Sequence, residues 1–321
     1  MKKILIPDGM NQYRADLHHH TTHSDGKLTP EEAKKIYMER GYSIIAYTDH
    51  TNYHVHNDLT DEHFLALNGV EVDVIADPAP NWKVNHLCWV ALTPDITEEA
   101  VWKCFPNADP EKEPDGFRNT DRTFTPENVN RLIRLGHDNG FFVTYNHPTW
   151  SKETAKDYLQ YHGMDAFEIV NGEPDCYDEE NGPAYDEMLS NGERLYCVAA
   201  DDSHGGCQDT SKFGGCIMLF APKLEYTVIT DALVHGNFYS QHDWRAPLIQ
   251  SMVWEDGMVS LKTTPAAKVV WYTDRESGSV CAPDGNLQTD WTVTIPNGKY
   301  FRFEVKGESG STTYTNAYFN D

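Results

Sequence analysis

The pattern of apolar and polar residues divides the chain near residue 247. Between residue 16 and about residue 245, short apolar runs such as SIIAYT and FFVTYNHP alternate with segments whose apolar residues recur every three or four positions. Two of these segments begin with helix-start signals, Thr29-Pro30-Glu31-Glu32 and Thr125-Pro126-Glu127. The alternation predicts an α/β fold in which the strands end in polar residues, as in α/β barrels and doubly wound sheets.

The C-terminal segment has a different pattern. The runs LKTT, KVVWYT, WTVTI and KYFRFEV are short, they alternate apolar and polar residues, and turn sequences such as PDGN and PNGK separate them. We therefore expect two domains, 1–246 and 247–321, the second a small all-β, sandwich-like domain. Residues 101–124 are rich in Pro, Asp and Glu and predict a long excursion, such as a lid, within the first domain.

Composition restricts the partners. The 321 residues include 26 Lys and Arg against 50 Asp and Glu, a formal charge of −24, which disfavours long nucleic acids and anionic membranes as partners. No apolar stretch reaches the roughly 18 to 20 residues of a membrane span. The seven cysteines form no CxxC pair, so we expect a reduced, cytoplasmic protein, while its oligomeric state stays open.

The densest group of polar residues is DLHHHTTHSDG, residues 16–26. Side chains of a strand alternate between its two faces, so His18 and His20 share one face and His19 points to the other. The pattern is that of an HxH metal site, although a solvated polar turn has the same sequence signature.

Further candidate ligands follow along the chain, each beside an apolar run. They are Asp25 in SDG, His50 in YTDH, Glu71 in GVE, His86 in NHL, His147 in NHP, and Asp202 and His204 in DDSH. Imidazole and carboxylate ligands together suit Zn, Mn or Fe. Because such ligands recur on successive strands, we expect one shared metal centre. A second HxH, His54 and His56, stands among Asn and Asp, and we expect it to lie outside the site.

Taken in this order, these motifs resemble the PHP (polymerase and histidinol phosphatase) superfamily over about residues 14 to 220. The resemblance implies a distorted (β/α)7 TIM-like barrel with two or three divalent metal ions at the C-terminal ends of its strands. Carried over by position, it implies three metal sites: His18, His20, Glu71 and Asp202; Glu71 as a bridge to His86 and His147; and Asp25, His50 and His204. Asp49 is expected to orient a ligand rather than to bind metal.

The predicted function is a metal-dependent phosphoesterase that hydrolyses a small phosphorylated metabolite, most readily a monoester, by a metal-activated hydroxide. His204 or His23 could protonate the leaving group. Lys152 and Arg245 are candidate phosphate-binding cations, although solvated surface side chains would look the same in the sequence.

Three alternatives remain open at this stage. Some PHP relatives are exonucleases or act on oligonucleotides or nucleotides, and for this acidic chain only short ones are expected. Amidohydrolases also combine an HxH with later histidines and a final aspartate, but no convincing bridging lysine is present here. The third alternative is a protein without catalytic activity, in which the barrel keeps its metal ligands and the β-domain binds a partner.

Overall fold

The computed structural model describes residues 2–75, 83–105, 123–173, 179–205 and 214–320. Most of the predicted excursion at 101–124 therefore lies outside the described residues. The described helices are α1 (Pro30–Met38), α2 (Glu98–Lys103), α3 (Pro126–Asp138), α4 (Ala155–Tyr158), α5 (Gly182–Asn191) and α6 (Tyr226–Val234). Both predicted helix starts are confirmed, since Thr29 closes a capping box with Glu32 and the Thr125 side chain accepts a hydrogen bond from Asn128 N. None of these helices is long and apolar enough to cross a membrane.

The strands alternate with these helices and then continue without them. The first set is β1 (Lys2–Ile6), β2 (Gln12–His19), β3 (Tyr42–Tyr47), β4 (Leu65–Ile75), β5 (Val84–Ala91), β6 (Phe141–Tyr145), β7 (Ala166–Asn171), β8 (Glu179–Glu180), β9 (Tyr196–Ala200), β10 (Cys216–Phe220) and β11 (Phe238–Gln241). The second set is β12 (Ile249–Glu255), β13 (Met258–Ala266), β14 (Lys268–Thr273), β15 (Ser277–Cys281), β16 (Gln288–Thr294), β17 (Tyr300–Lys306), β18 (Thr312–Thr315) and β19 (Tyr318–Phe319). The predicted α/β class is confirmed.

The strands that carry the candidate ligands are neighbours in one sheet. Its order runs β2-β3-β4-β5-β6-β7, and β9 pairs with β7. The pairs β2–β3, β3–β4, β6–β7 and β7–β9 are parallel, whereas β5 runs antiparallel to both β4 and β6. After β9 the chain returns to β2, where His20 N donates a hydrogen bond to Ser203 O over 3.1 Å. The residues that follow β2 and those that follow β9 therefore meet.

Close packing of α3 holds β5 and β6 in place. The helix buries Val129, Leu132 and Ile133 in the largest hydrophobic cluster, which also contains Trp89 of β5. Gly136 permits this approach, because a Cβ at that position would lie 2.7 Å from Val143 Cγ2 and 3.0 Å from the Trp89 ring. The antiparallel strand with its His86 is thereby fixed against the helix layer.

The C-terminal strands form two antiparallel layers. One is the sheet β1-β12-β13-β16, and the other, β15-β14-β17-β18, continues through β11 and β10 into β2. Alternate residues such as Trp291, Val293, Phe301 and Phe303 are buried between the layers. The N-terminal strand β1 belongs to this unit by its pairing with β12, a long-range contact that the sequence pattern did not predict. The domain division at residue 247 stays a prediction.

Candidate metal centre

Each candidate ligand lies within or just beyond a strand of the central sheet. His18 stands near the end of β2, His20 one residue beyond it, and Glu71 and His86 lie within β4 and β5. His50, His147 and Asp202 follow β3, β6 and β9, respectively. Because the parallel strands present their C-terminal ends on the same side, side chains far apart in sequence converge there.

His18, His20 and Asp202 form the tightest group. The two Nε2 atoms lie 3.2 Å apart, and Asp202 Oδ1 lies 3.1 Å from His18 Nε2 and 2.9 Å from His20 Nε2. Ligand atoms that bind one ion at about 2.0–2.2 Å lie about 3 Å or slightly more from one another. The spacing of these three atoms therefore fits a single divalent ion.

Glu71 lies at the middle of the cluster, with its side chain only 1% exposed. Five histidine rings contact its two carboxylate oxygens. Oε1 lies 3.0 Å from His18 Nε2, 2.9 Å from His86 Nδ1 and 3.3 Å from His147 Nε2, whereas Oε2 lies 2.8 Å from His50 Nδ1 and 3.5 Å from His20 Nε2. Because its two oxygens face different histidines, the carboxylate has the geometry to bridge two ions.

A looser set, which we call the outer group, comprises His20, Asp25, His50 and His204. Their ligand atoms all lie within 4.8 Å of one another. Asp25 Oδ1 lies 3.5 Å from His204 Nε2, and Asp25 Oδ2 lies 3.8 Å from His50 Nε2. The Asp25 side chain is 52% exposed, so the centre opens to solvent on this side.

Electrostatics favour the ionised form of the two carboxylate ligands and the neutral form of His20 and His86. Burial alone would raise the pKa of Glu71, but the charges of His86, His18 and His50 hold it well below its usual range. The pKa of Asp202 is likewise held low against burial by His18 and His20. Burial lowers the pKa of His86 to about 4, and burial together with His50 lowers the pKa of His20 to about 4. Ionised carboxylates and neutral imidazoles are the forms that bind metals. The neighbouring carboxylates instead raise the pKa of His18 well above its usual value and that of His147 to about 9, against the effect of burial, so metal binding would displace protons from these two rings.

Several buried ligand atoms have no hydrogen-bond partner among the described residues. They are Glu71 Oε2, Asp202 Oδ1, His86 Nδ1 and His20 Nδ1. His86 Nδ1 lies 2.9 Å from Glu71 Oε1, so the two atoms are close but not aligned for a hydrogen bond. A buried polar atom without a partner costs free energy, and bound metal would supply the missing interactions. The residues present therefore fit a divalent metal centre.

A second layer of polar residues, which the sequence analysis did not identify, orients the ligands. Glu168 is buried in β7; its Oε1 lies 2.9 Å from His18 Nδ1, and its Oε2 accepts a hydrogen bond from His147 N over 2.9 Å. Asn171 Nδ2 donates to Glu168 Oε2 and to Asp202 Oδ2. The signal was present in AFEIVN, because a carboxylate within an apolar strand is costly unless it has partners.

The Nδ1 atoms of His204 and His147 also have polar neighbours. His204 Nδ1 lies 3.0 Å from Glu173 Oε2, and His147 Nδ1 lies 3.2 Å from Ser151 Oγ. Burial alone would lower the pKa of His204, but Glu173 together with Asp202 and Asp25 raises it to about 9. With Nδ1 held, only Nε2 of His204 remains to bind a metal or to carry a proton towards substrate.

We predict that Glu168→Gln lowers metal affinity about 10- to 100-fold, the usual cost of removing a partner that orients a metal ligand. The amide cannot act as a charged acceptor for His18 Nδ1, so the ring loses its fixed orientation. Metal titration of the purified variant checks this. Glu62→Gln, at a carboxylate that is 84% exposed, is the matched control. Equal affinity in the two variants would contradict the role given to Glu168.

Two neighbours of the ligands serve the scaffold instead. Asp49 accepts hydrogen bonds from Thr21 N, Thr21 Oγ1 and Ser24 Oγ, so it fixes the loop that leads to Asp25. His19 is fully buried on the other face of β2, edge-on to Tyr37 and 3.3 Å from Asp16 Oδ2. Neither side chain reaches the ligand groups described above.

Of the other predicted site residues, the structure brings neither His23 nor Arg245 into the cluster. The His23 ring stacks on His54. The Arg245 guanidinium is paired with Asp243. The carbonyl of the adjacent Trp244 accepts a hydrogen bond from Arg14, near the beginning of β2. The candidate ligands lie instead near the ends of the strands. The roles predicted for His23 in protonating the leaving group and for Arg245 in binding phosphate stay predictions. Lys152 is exposed, five residues after His147, and its phosphate-binding role stays a prediction.

Comparisons with known proteins were made by sequence and by structure. No family model matches the chain. The DNA polymerase/3'-5' exonuclease PolX of Bacillus subtilis (strain 168) is 34% identical over 86 residues, which cover 21% of this chain and 15% of PolX. The matched segment is thus a small part of that protein's length.

Among solved structures, the chain is similar to a two-domain protein from Bacteroides vulgatus ATCC 8482, which is described as containing a predicted PHP-like metal-dependent phosphoesterase. The match covers 98% of each chain, at 15% identity and a TM-score of 0.45. This description names the same superfamily that the motifs of the chain resemble. A second match, described as a candidate metal-dependent phosphoesterase from Bifidobacterium adolescentis ATCC 15703, covers 60% of this chain and 87% of its own at 15% identity and a TM-score of 0.38. An amidohydrolase from Chromobacterium violaceum covers 61% and 89% at 16% identity and a TM-score of 0.36.

Proposed function

We propose that the protein is a metal-dependent phosphoesterase that hydrolyses a small phosphorylated metabolite, most readily a phosphomonoester. The observation that carries the proposal is the contact of one buried carboxylate, Glu71, with five histidine rings at the ends of neighbouring strands. We propose that the centre holds two or three Mn, Fe or Zn ions. The PHP resemblance supports the phosphoester as the substrate class.

The chain's own residues contribute position and charge. When bound, divalent metals would lower the pKa of a water molecule and neutralise charge on the phosphoryl oxygens. Glu168 keeps His18 Nε2 directed towards Asp202, and Asn171 holds the second oxygen of Asp202. Trp150 lies edge-on to His147, with ring centroids 5.1 Å apart, and covers one side of the ligand cluster. These contacts pre-organise the ligands so that little reorganisation is needed during the reaction.

The proposal extends to the architecture. We propose that strands β2 to β9 form the predicted distorted (β/α)7 barrel of residues 1–246, with residues 247–321 as the β-sandwich-like domain. The return of the chain from β9 to β2 through the His20–Ser203 hydrogen bond supports ring closure. The antiparallel β5 is a departure from an all-parallel barrel.

A substrate panel tests the function. The protein, loaded separately with Mn, Fe or Zn, is expected to release phosphate most rapidly from small monoesters. Diesters, nucleotides, short 5'-phosphorylated oligonucleotides, amides and cyclic imides complete the panel, and metal-depleted protein is the control.

Each outcome of the panel decides between the alternatives. Turnover of oligonucleotides or nucleotides alone would favour the hypothesis of an exonuclease or nucleotide phosphoesterase. Hydrolysis of amides or imides without phosphate release would favour an amidohydrolase. A filled metal centre that releases phosphate from none of the esters would refute the proposal.

A further inference from the structure

A second histidine cluster lies outside the ligand groups described above. His23, His54 and His56 pack together, with ring centroids 4.0 Å apart for His23–His54, 5.5 Å for His23–His56 and 6.2 Å for His54–His56. The three histidines of the outer group have centroid distances in the same range, 4.3, 4.3 and 6.0 Å. His23, His54 and His56 are thus about as close to one another as three histidines that the structure brings together as candidate metal ligands.

Each member of the cluster is held in place by a different partner. His54 Nδ1 lies 3.2 Å from Glu98 Oε1, His23 O accepts a hydrogen bond from Asn52 Nδ2, and His56 N donates to Asn68 Oδ1. A carboxylate on one ring nitrogen of a histidine leaves the other nitrogen for a metal, as in many metal sites. Glu98 therefore orients His54 in the way that a ligand needs.

His56 supplies the second observation. Its side chain is buried, and its Nε2 atom has no hydrogen-bond partner in the part of the chain that the structure describes. Burial also lowers the pKa of His56 to about 4, so the ring is neutral at pH 7. A buried neutral imidazole nitrogen without a partner is costly, and a bound cation would satisfy it.

Solvent reaches the cluster from the other side. His23 is exposed and the His54 side chain is 28% exposed, so an ion could enter without opening the core. The protein carries a formal charge of −24, which attracts cations to its surface.

From this juxtaposition we infer that His23, His54 and His56 bind one imidazole-preferring transition-metal ion, such as Ni²⁺ or Zn²⁺, separately from the centre around Glu71. Three imidazoles supply borderline nitrogen ligands, and the exposed side leaves the remaining coordination positions to water. The inference does not depend on the proposed reaction, because it concerns the binding of a metal ion away from the ligands around Glu71.

Nickel stoichiometry tests the inference. Metal-depleted full-length protein is titrated with Ni²⁺, and bound metal is counted after dialysis for the wild type and for the variants His54→Gln, His23→Gln and His63→Gln. The first two are expected to bind one Ni²⁺ per chain fewer than the wild type. His63→Gln is the matched control. His63 is 74% exposed and its Nε2 lies 3.2 Å from Glu62 Oε1, so this variant should bind as much Ni²⁺ as the wild type does.

A further variant, Glu71→Gln, separates the two sites. Glu71→Gln is expected to keep the Ni²⁺ ion that the His54→Gln and His23→Gln variants lose. The double variant with Glu71→Gln and His54→Gln is expected to lose that ion as well. Equal stoichiometry in the wild type, His54→Gln and His23→Gln would overturn the inference, as would equal loss in the His63→Gln control. Since no phosphate release is measured, a failure of the proposed function leaves this result unaffected.

Discussion

Glu71→Gln is expected to remove bound metal and phosphoesterase activity together. The substitution keeps the size of the side chain but removes the charge that faces five histidine rings. A metal centre supplies several kcal/mol of transition-state stabilisation, and each 1.36 kcal/mol is a factor of ten in rate, so we expect activity to fall about 10³-fold or more. Metal content per chain and phosphate release, measured on the same preparation, check this.

The matched control for Glu71→Gln is Glu62→Gln, because that carboxylate is 84% exposed and its ionic contact is with the exposed His63. The control should retain metal and activity. If Glu71→Gln bound the full complement of metal and hydrolysed the ester at the wild-type rate, Glu71 would not be the bridging carboxylate.

Arg302→Ala is expected to lower the free energy of unfolding by about 3 to 5 kcal/mol, the usual cost of breaking a buried ion pair from one side. Arg302 lies in β17 and is 1% exposed. Its Nε and Nη2 donate to Asp186 of α5 over 2.8 and 2.6 Å, its Nη1 donates to Glu304 over 3.1 Å, and it stacks on Tyr272. Removal of the guanidinium takes from Asp186 the cation that it contacts and leaves Glu304 paired with Lys306, 2.9 Å away.

Denaturant unfolding measures this loss, with Arg275→Ala as the control. Arg275 is 70% exposed and lies 3.9 Å from Asp274, so its removal should change stability by no more than about 0.5 kcal/mol. Equal unfolding midpoints for the two variants would show that the buried ion pair does not connect α5 to the C-terminal strands as the structure indicates.

Much of the candidate site could be predicted from the sequence because strand geometry is simple. Alternation along β2 separates His18 and His20 from His19, and the structure places them on opposite sides of the strand. Asp202 is distant in sequence, and strand-end placement indicates only that it could join a shared centre. Its grouping with His18 was implied by the PHP resemblance, whereas the local pattern was sufficient for the alternation along β2.

Other features depend on contacts that no local pattern specifies. Arg245 follows β11 and resembles a strand-end cation, but the structure pairs it with Asp243. The end of the sheet at which such a loop lies depends on the direction of the strand before it, and β11 runs antiparallel to β10. His23 stands between two predicted ligands and instead packs on His54, because the intervening loop is turned by the hydrogen bonds to Asp49. The pairing of β1 with β12 joins the two ends of the chain and has no sequence signal of its own.

The central claim is that the carboxylates and histidines around Glu71 hold catalytic metal. Crystals soaked in Mn²⁺, with anomalous diffraction collected at the manganese edge, test it most directly. We expect two or three anomalous peaks, one of them between His18, His20 and Asp202 and another beside Glu71 and His86. A fully ordered cluster with no anomalous peak near Glu71, in protein that still hydrolyses phosphate esters, would contradict it.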